Sequence, residues 1–168
     1  MAVVTVKSTR IAGRDSTPPS KGGTTVGPRR RYDDAATVEV TNGDSIASKF
    51  VLVSLPSSAS LRELIVLNDG ITSAAADFGI YRTTQDGGAV VDADCFGSAV
   101  SIASANTTGT NILHESGVFD IAEIEQPLWQ VLGLAADPVV MYDVVATLTA
   151  AATASGTLTV IASYGQAN

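Results

Sequence analysis

Short apolar runs separated by turn residues dominate the chain from residue 37 onward. The run 48–56, SKFVLVSLP, is rich in β-branched residues and ends at a proline, and an Asn-Gly pair precedes it. The runs 60–70, SLRELIVLNDG, and 76–88, ADFGIYRTTQDGG, both end in turn residues. A parallel α/β fold needs a regular helix after most strands, and the sequence does not supply them. The pattern therefore predicts an all-β fold, an antiparallel β-sandwich of the jelly-roll type.

Two short segments interrupt this pattern and favour helix. Segment 92–104, DADCFGSAVSIAS, places three apolar side chains on one helical face after Asp92, a typical capping residue. Segment 125–134, EQPLWQVLGL, has a proline near its start and a glycine near its end. We therefore expect two short helical insertions in the sandwich.

The remaining apolar runs favour strands. Segments 110–116, TNILHES, and 118–124, VFDIAEI, have the length of short strands. In segment 137–165 apolar residues recur at every second position on both sides of an Ala/Ser/Gly stretch. That alternation predicts a long hairpin.

The beginning of the chain differs from the rest in composition and in charge. It is rich in proline and glycine and has few large apolar side chains, so burial cannot offset the entropy lost on ordering. Residues 1–31 carry seven basic side chains against one acidic, a net charge of +6, whereas residues 32–168 carry three against sixteen, a net charge of −13. The sequence therefore predicts an extended basic N-terminal arm, residues 1–35, and a β-sandwich body, residues 36–168.

Opposite charges on two parts of one chain favour self-association or docking on an acidic protein surface. The acidic body should repel nucleic acid and anionic membranes, and the sequence has no apolar run long enough to span a bilayer, so we expect neither partner. Forked arginine contacts to carboxylates suit the basic residues of the arm. The predicted partner-binding residues are Arg10, Arg14, Lys21, Arg29, Arg30 and Arg31.

Residue types that carry catalysis or bind metals do not occur in the required patterns. His114 has a glutamate and a serine next to it, but neighbours in a strand point to opposite faces, and no Gly-x-Ser-x-Gly elbow is present. The carboxylates near residues 92–94 and 120–125 do not follow the spacing of a calcium loop, and segment 20–27 lacks the ending of a phosphate-binding loop. We therefore predict no enzymatic activity, no catalytic residues, no metal and no cofactor.

Two residues that occur once each allow simple expectations. Cys95 excludes an internal disulfide, and we expect it to be a small buried apolar residue. Trp129 has apolar neighbours, so we expect a buried anchor; the alternative is an exposed residue that stacks on a carbohydrate. The opening 1–13 lacks the order of regions in a secretory signal, and we expect synthesis and use in a cytoplasm.

The string 77–96, DFGIYRTTQDGGAVVDADCF, and the string 125–138, EQPLWQVLGLAADP, resemble small virion proteins of tailed bacteriophages, which are typically encoded beside the major capsid protein. The likeness covers residues 42–165, and its most specific part is Gln-Pro-Leu-Trp; the arm is outside it. The resemblance implies a capsid decoration (cement) protein with a jelly-roll or similar β-rich body, made in the host cytoplasm and located on the virion surface.

Its implied partners are the major capsid protein and copies of itself, commonly as a homotrimer. Two alternatives remain open at this point: a tail or head–tail connector component, and a carbohydrate-binding module on the virion.

Overall fold

Two four-stranded sheets form the body of the protein. The computed structural model describes residues 16–17 and 30–166. Between the strands lie two 3₁₀ turns, Thr84–Asp86 and Ile121–Glu123, and one short helix, α1 (Leu128–Val131). The strands are β1 (Arg30–Val40), β2 (Lys49–Pro56), β3 (Ala59–Asn68), β4 (Ala75–Arg82), β5 (Val90–Ser101), β6 (Asn106–Asn111), β7 (Met141–Ala150) and β8 (Gly156–Gln166).

The strand order is β1-β8-β3-β6 in the first sheet and β2-β7-β4-β5 in the second, and every pairing is antiparallel. The pairs β1–β8, β2–β7, β3–β6 and β4–β5 form one long folded ribbon, which the pairs β3–β8 and β4–β7 join into sheets. The chain changes sheet at every connection except β4–β5. The predicted antiparallel β-sandwich is confirmed.

The core lies between the two sheets, and β8 contributes alternate residues to it along most of its length. Leu158 and Val160 of β8 and Phe78 and Ile80 of β4 belong to one continuous cluster, and all four residues are fully buried. Burial of a side chain of this size contributes about 1.5–3 kcal/mol to stability. The two sheets are therefore held together chiefly by apolar side chains that the period of two directs inward.

The connections between strands lie at the two ends of the sandwich. At the end that we call the arm end, β1 begins and β8 ends, and the β2–β3, β4–β5 and β6–β7 connections lie there. The opposite end carries the other four connections. Hydrogen bonds tie these together: the Gly43 N–H donates to the Ala152 carbonyl at 3.0 Å, and the Ile71 N–H donates to the Ile102 carbonyl at 3.1 Å.

The first predicted helical insertion, segment 92–104, is wrong, because most of it is β5. The strand is irregular there: partners of β4 jump from Gly97 to Val100, and Ala99 between them has a left-handed φ of 50°. A bulge of this kind breaks the period of two that identifies a strand in sequence. Asp92 caps no helix; its Oδ1 accepts the Asp94 N–H at 3.3 Å within the strand. The second insertion is confirmed by α1.

Three predictions of strand structure also need correction. Segment 118–124 is a loop with a 3₁₀ turn, because Asp120 and Glu123 form a capping box, and segment 110–116 overlaps β6 only in its first two residues. The predicted hairpin of β7 and β8 does not form. Each is a central strand of a different sheet. Both strands therefore have apolar residues at alternate positions although they do not pair with each other.

The boundary predicted at residue 35 falls inside β1. Arg30 pairs with Gln166 of β8, and the register continues to Ala35 opposite Ile161. The composition of this half-strand is polar because it lies at the edge of the sheet and is exposed. The body therefore includes residues from Arg30 onward, and residues 1–15 and 18–29 of the predicted arm lie outside the described residues.

Candidate functional site

The structure describes two of the predicted partner-binding residues, Arg30 and Arg31, at the beginning of β1. Arg30 is exposed at the point where residues 1–29 join the body. The others lie outside the described residues: Arg10, Arg14, Lys21 and Arg29.

Arg31 is already paired within the body. Its Nε donates to Asp33 Oδ1 at 3.0 Å, and its Nη2 donates to Glu63 Oε2 at 3.1 Å and to Ser163 Oγ at 3.0 Å. The Ser163 hydroxyl in turn donates to Asp33 Oδ1. These contacts connect β1 with β8 and β3, so Arg31 links the edge strand to its sheet. The guanidinium that we expected to bind a partner is bound to carboxylates of its own chain.

The Ser163 hydroxyl and then Arg31 hold the pKa of Asp33 below its ordinary value of 3.8. A lowered pKa in the folded state means stability that is present above pH 3.8 and is lost as the pH falls through the folded-state pKa. We therefore expect Asp33→Asn to lower the melting temperature at neutral pH and to have a vanishing effect in strong acid. Melting curves of both proteins over this pH range check the prediction. The control is Asp34→Asn on the opposite face of β1. A difference in melting temperature between Asp33→Asn and the wild-type protein that is equal at all pH values would contradict the prediction.

The beginning of β1 is an exposed edge. β1 has one hydrogen-bonded neighbour, β8, in the described part of the chain. Its inward-facing Tyr32 is exposed and stacks on Tyr164 with ring centroids 5.5 Å apart, whereas Val40 at the other end of the strand is fully buried. Such an edge offers free backbone groups to a strand of another chain.

Exposed large apolar side chains are concentrated at the arm end. Of the ten in the described residues, four lie near the arm ends of β1, β5 and β7, four lie in the long β6–β7 connection, and Ile46 and Val51 lie elsewhere. We call the others, which lie at this end or in the β6–β7 loop, the arm-end apolar surface: Tyr32, Val90, Val91, Val118, Ile121, Leu134, Val139 and Met141.

The opposite end has a different surface. Its connections consist mainly of small and polar residues, as in 41–48, TNGDSIAS, 69–74, DGITSA, and 151–155, AATAS. Ile46 is its exposed large apolar residue in the described chain. The described body is therefore polar at one end and partly apolar at the end where residues 1–29 join it.

A shallow depression of about 170 Å³ lies at the arm end. It is smaller than the roughly 300–1,000 Å³ of a typical small-molecule pocket. Gln166 lines it and is the register partner of Arg30, so the depression adjoins the point where residues 1–29 join the body. Its lining residues are Pro56, Ser57, Ser58, Asp137, Val139, Val140, Met141 and Gln166.

The histidine and tryptophan of the sequence have structural contacts. His114 lies in the loop after β6; its Nδ1 is 2.7 Å from the Phe119 carbonyl oxygen and its ring packs on Phe119. Trp129 is half-buried and its backbone N–H donates to the Ser57 carbonyl at 3.0 Å; the buried anchor of α1 is its neighbour Leu128. Within residues 16–17 and 30–166, no group of three or more His, Cys, Asp or Glu side chains is placed to hold a metal ion. No helix of the same residues is long and apolar enough to cross a membrane.

Cys95 is fully buried, as the sequence predicts. Burial first, and then the charges of Asp92, Asp94 and Glu123, raises the pKa of its thiol to about 12. Because the thiolate is the reactive form, we expect no reaction with a thiol reagent in the native protein and complete reaction after unfolding in denaturant. A colorimetric thiol assay with and without denaturant measures this; rapid labelling of the native protein would show that β5 opens.

Comparison with known proteins identifies the fold. No protein-family model matches the chain. No curated protein matches it either. A chain of the structure "Cyanophage Pam1 capsid asymmetric unit" superposes with a TM-score of 0.52 at 15% identity, over 83% of this chain and 87% of that one. A chain of "Capsid of Ralstonia phage GP4" superposes with a TM-score of 0.51 at 18% identity, over 82% and 86%. At such identities the likeness shows a shared fold, and the near-equal coverage shows chains of similar length.

Proposed function

We propose that the chain is a structural protein of a phage virion, and more specifically a decoration (cement) protein that binds the outside of the head and stabilises the shell. One observation carries the proposal: the body shares its fold with chains of two phage capsid structures over more than four-fifths of each chain. The resemblance of strings 77–96 and 125–138 to small virion proteins supports the same function.

Within this proposal the body is a jelly roll. The pairs β1–β8, β2–β7, β3–β6 and β4–β5 are those obtained when one long antiparallel ribbon is rolled into two sheets. Eight strands in two packed sheets are the arrangement of jelly-roll domains, which viral capsids use. The body then serves as a rigid, non-enzymatic knob.

The arm supplies the contact with the shell. Residues 1–29 carry five basic side chains against one acidic, and fully extended they reach about 100 Å. Contacts of this length bridge neighbouring shell subunits, and a ligand that binds only the assembled lattice stabilises that lattice. Assembly of the body as a homotrimer would multiply the weak contacts of each arm through effective concentration.

Binding to heads that lack the protein tests this function. Purified protein is mixed with such heads, the particles are sedimented, and bound protein is measured together with the temperature at which the heads release their DNA. We expect saturable binding and a higher release temperature, since free protein at a hundredfold its Kd stabilises each site by about 2.7 kcal/mol. Binding to tails alone would favour the connector alternative, and binding to neither would overturn the proposal. The carbohydrate-binding alternative has less support, because Trp129 is half-buried.

A further inference from the structure

Val139 has an unusual conformation for its residue type. Its φ is 53°, in the left-handed region that β-branched residues seldom adopt. It is also 85% exposed, more than any other large apolar residue in the described chain. A strained backbone that presents an apolar side chain to solvent does nothing for the core, so the arrangement points to function.

A partly buried polar network holds Val139 in this conformation. The Asp137 carboxylate accepts hydrogen bonds from the Ser57 hydroxyl and from the Val139 N–H, the latter at 2.9 Å. The Ser57 hydroxyl accepts from the Val140 N–H at 3.2 Å, and the Ser57 N–H donates to the Val140 carbonyl at 2.8 Å. Ser57 lies in the β2–β3 turn and is almost fully buried. Val139 is therefore displayed by a rigid frame.

The surroundings of Val139 indicate what it contacts. Met141, also exposed, lines the same depression, and so does Gln166, the register partner of Arg30. The basic segment 1–29 thus joins the body beside Val139 and should draw this end toward an acidic surface. The opposite end of the sandwich is polar, as expected of a face that stays in solvent.

We infer that Val139, with Met141 beside it, is the anchor by which the arm end docks into an apolar groove, flanked by carboxylates, on the protein surface that the arm binds. The inference rests on the proposed function, in which that surface is the outside of the phage shell. A rigid apolar residue surrounded by less critical contacts is the usual form of an interface hot spot. A second copy is the less favoured occupant, because pairing two arm ends would cover the surface on which the lattice contact depends.

The substitution Val139→Gly separates the role of the Val139 side chain in binding from any role in the stability of the fold. Glycine adopts a positive φ without cost, so the melting temperature should stay equal or rise, whereas removal of the side chain should weaken binding to heads by at least about tenfold. The matched control is Ile46→Ala, which removes a 63% exposed apolar side chain at the opposite end and should leave binding unchanged.

The outcomes distinguish the inference from the function on which it rests. If the wild-type protein binds heads and Val139→Gly binds equally well, the anchor is overturned and the proposed function stands. If the wild-type protein does not bind, the proposed function is overturned, and the anchor with it. If Val139→Gly changes the mass of the free protein in solution and not its binding to heads, the occupant is a second copy and the inference is overturned.

A cross-link identifies the occupant directly. Because Cys95 is fully buried, Val139→Cys provides a single accessible thiol in the described chain for a photo-reactive label. On heads, we expect the label at position 139 to attach to a shell subunit, and the same label at Ile46→Cys to attach to none. Attachment of the Val139→Cys label to another copy of this chain would overturn the inference.

Discussion

Removal of residues 1–29 should lower the affinity of the protein for phage heads by at least about a hundredfold while the body keeps its fold. The deletion removes five positive charges and leaves residues 30–168 with five basic against sixteen acidic side chains, a net charge of −11. On the proposed function, a body so acidic would be repelled by an acidic shell surface and would lack the contacts by which residues 1–29 bridge subunits. The shortened chain begins at Arg30, so β1 and the contacts of Arg31 with Asp33, Glu63 and Ser163 are retained.

Sedimentation with heads measures the affinity, and circular dichroism confirms that the shortened body is folded. Affinity equal to that of the full chain would show that the basic segment takes no part in binding. A full-length variant with Arg10, Arg14, Lys21 and Arg29 replaced by glutamine isolates the role of charge. Its loss of binding should be greatest at low salt, where screening is weakest; a loss independent of salt would contradict the electrostatic explanation.

Gly79→Ala should destabilise the body by about 3 kcal/mol or more. A Cβ at this position would lie 2.2 Å from the carbonyl carbon and oxygen of Ala93 and from the carbonyl oxygen of Asp92. These atoms are backbone of β5, so no change of side-chain rotamer relieves the clash. β4 would have to move away from β5, and the fully buried Phe78 and Ile80 on either side of Gly79 would move with it.

Gly70→Ala is the matched control for this prediction. The Cβ would meet the Ala103 carbonyl oxygen and the Ala105 nitrogen at 3.5 Å, which is ordinary van der Waals contact, and Gly70 does not have a left-handed φ. We expect a change within about 0.5 kcal/mol. Urea unfolding of the two variants gives both values; similar free energies of unfolding for them would mean that β5 does not lie as close to Gly79 as described.

The positions of several strands can be predicted from the sequence, whereas the pairing of each strand with its neighbours in the sheet cannot. β2, β3 and β4 are predicted well because β-branched runs and turn residues act within a few positions. β7 and β8 are also strands, but which strand lies beside each depends on contacts distant in sequence. β5 was missed because the bulge at Ala99 breaks its alternation, and the capping box of Asp120 and Glu123 was a local signal that the apolar run around it obscured.

The charge of the candidate site can be predicted from the sequence, whereas its contacts cannot. The contrast between the basic beginning and the acidic body follows from the charge count alone. The contacts of Arg31 do not, since Glu63 and Ser163 are brought to it by the pairing of β1, β8 and β3. The arm-end apolar surface is likewise assembled from separate strands and loops. The conformation of Val139 depends on a hydrogen bond that Asp137 accepts from Ser57, a residue of a different connection.

Under the proposed function this chain belongs to a phage, and a cryo-EM reconstruction of that phage's virion tests the central claim most directly. We predict density for the two-sheet body on the outside of the head, with Val139 and the arm end against the shell. We also predict that density continues from Arg30 across a boundary between shell subunits. Heads without this body on their surface, with the chain found in the tail or absent from the particle, would contradict the claim.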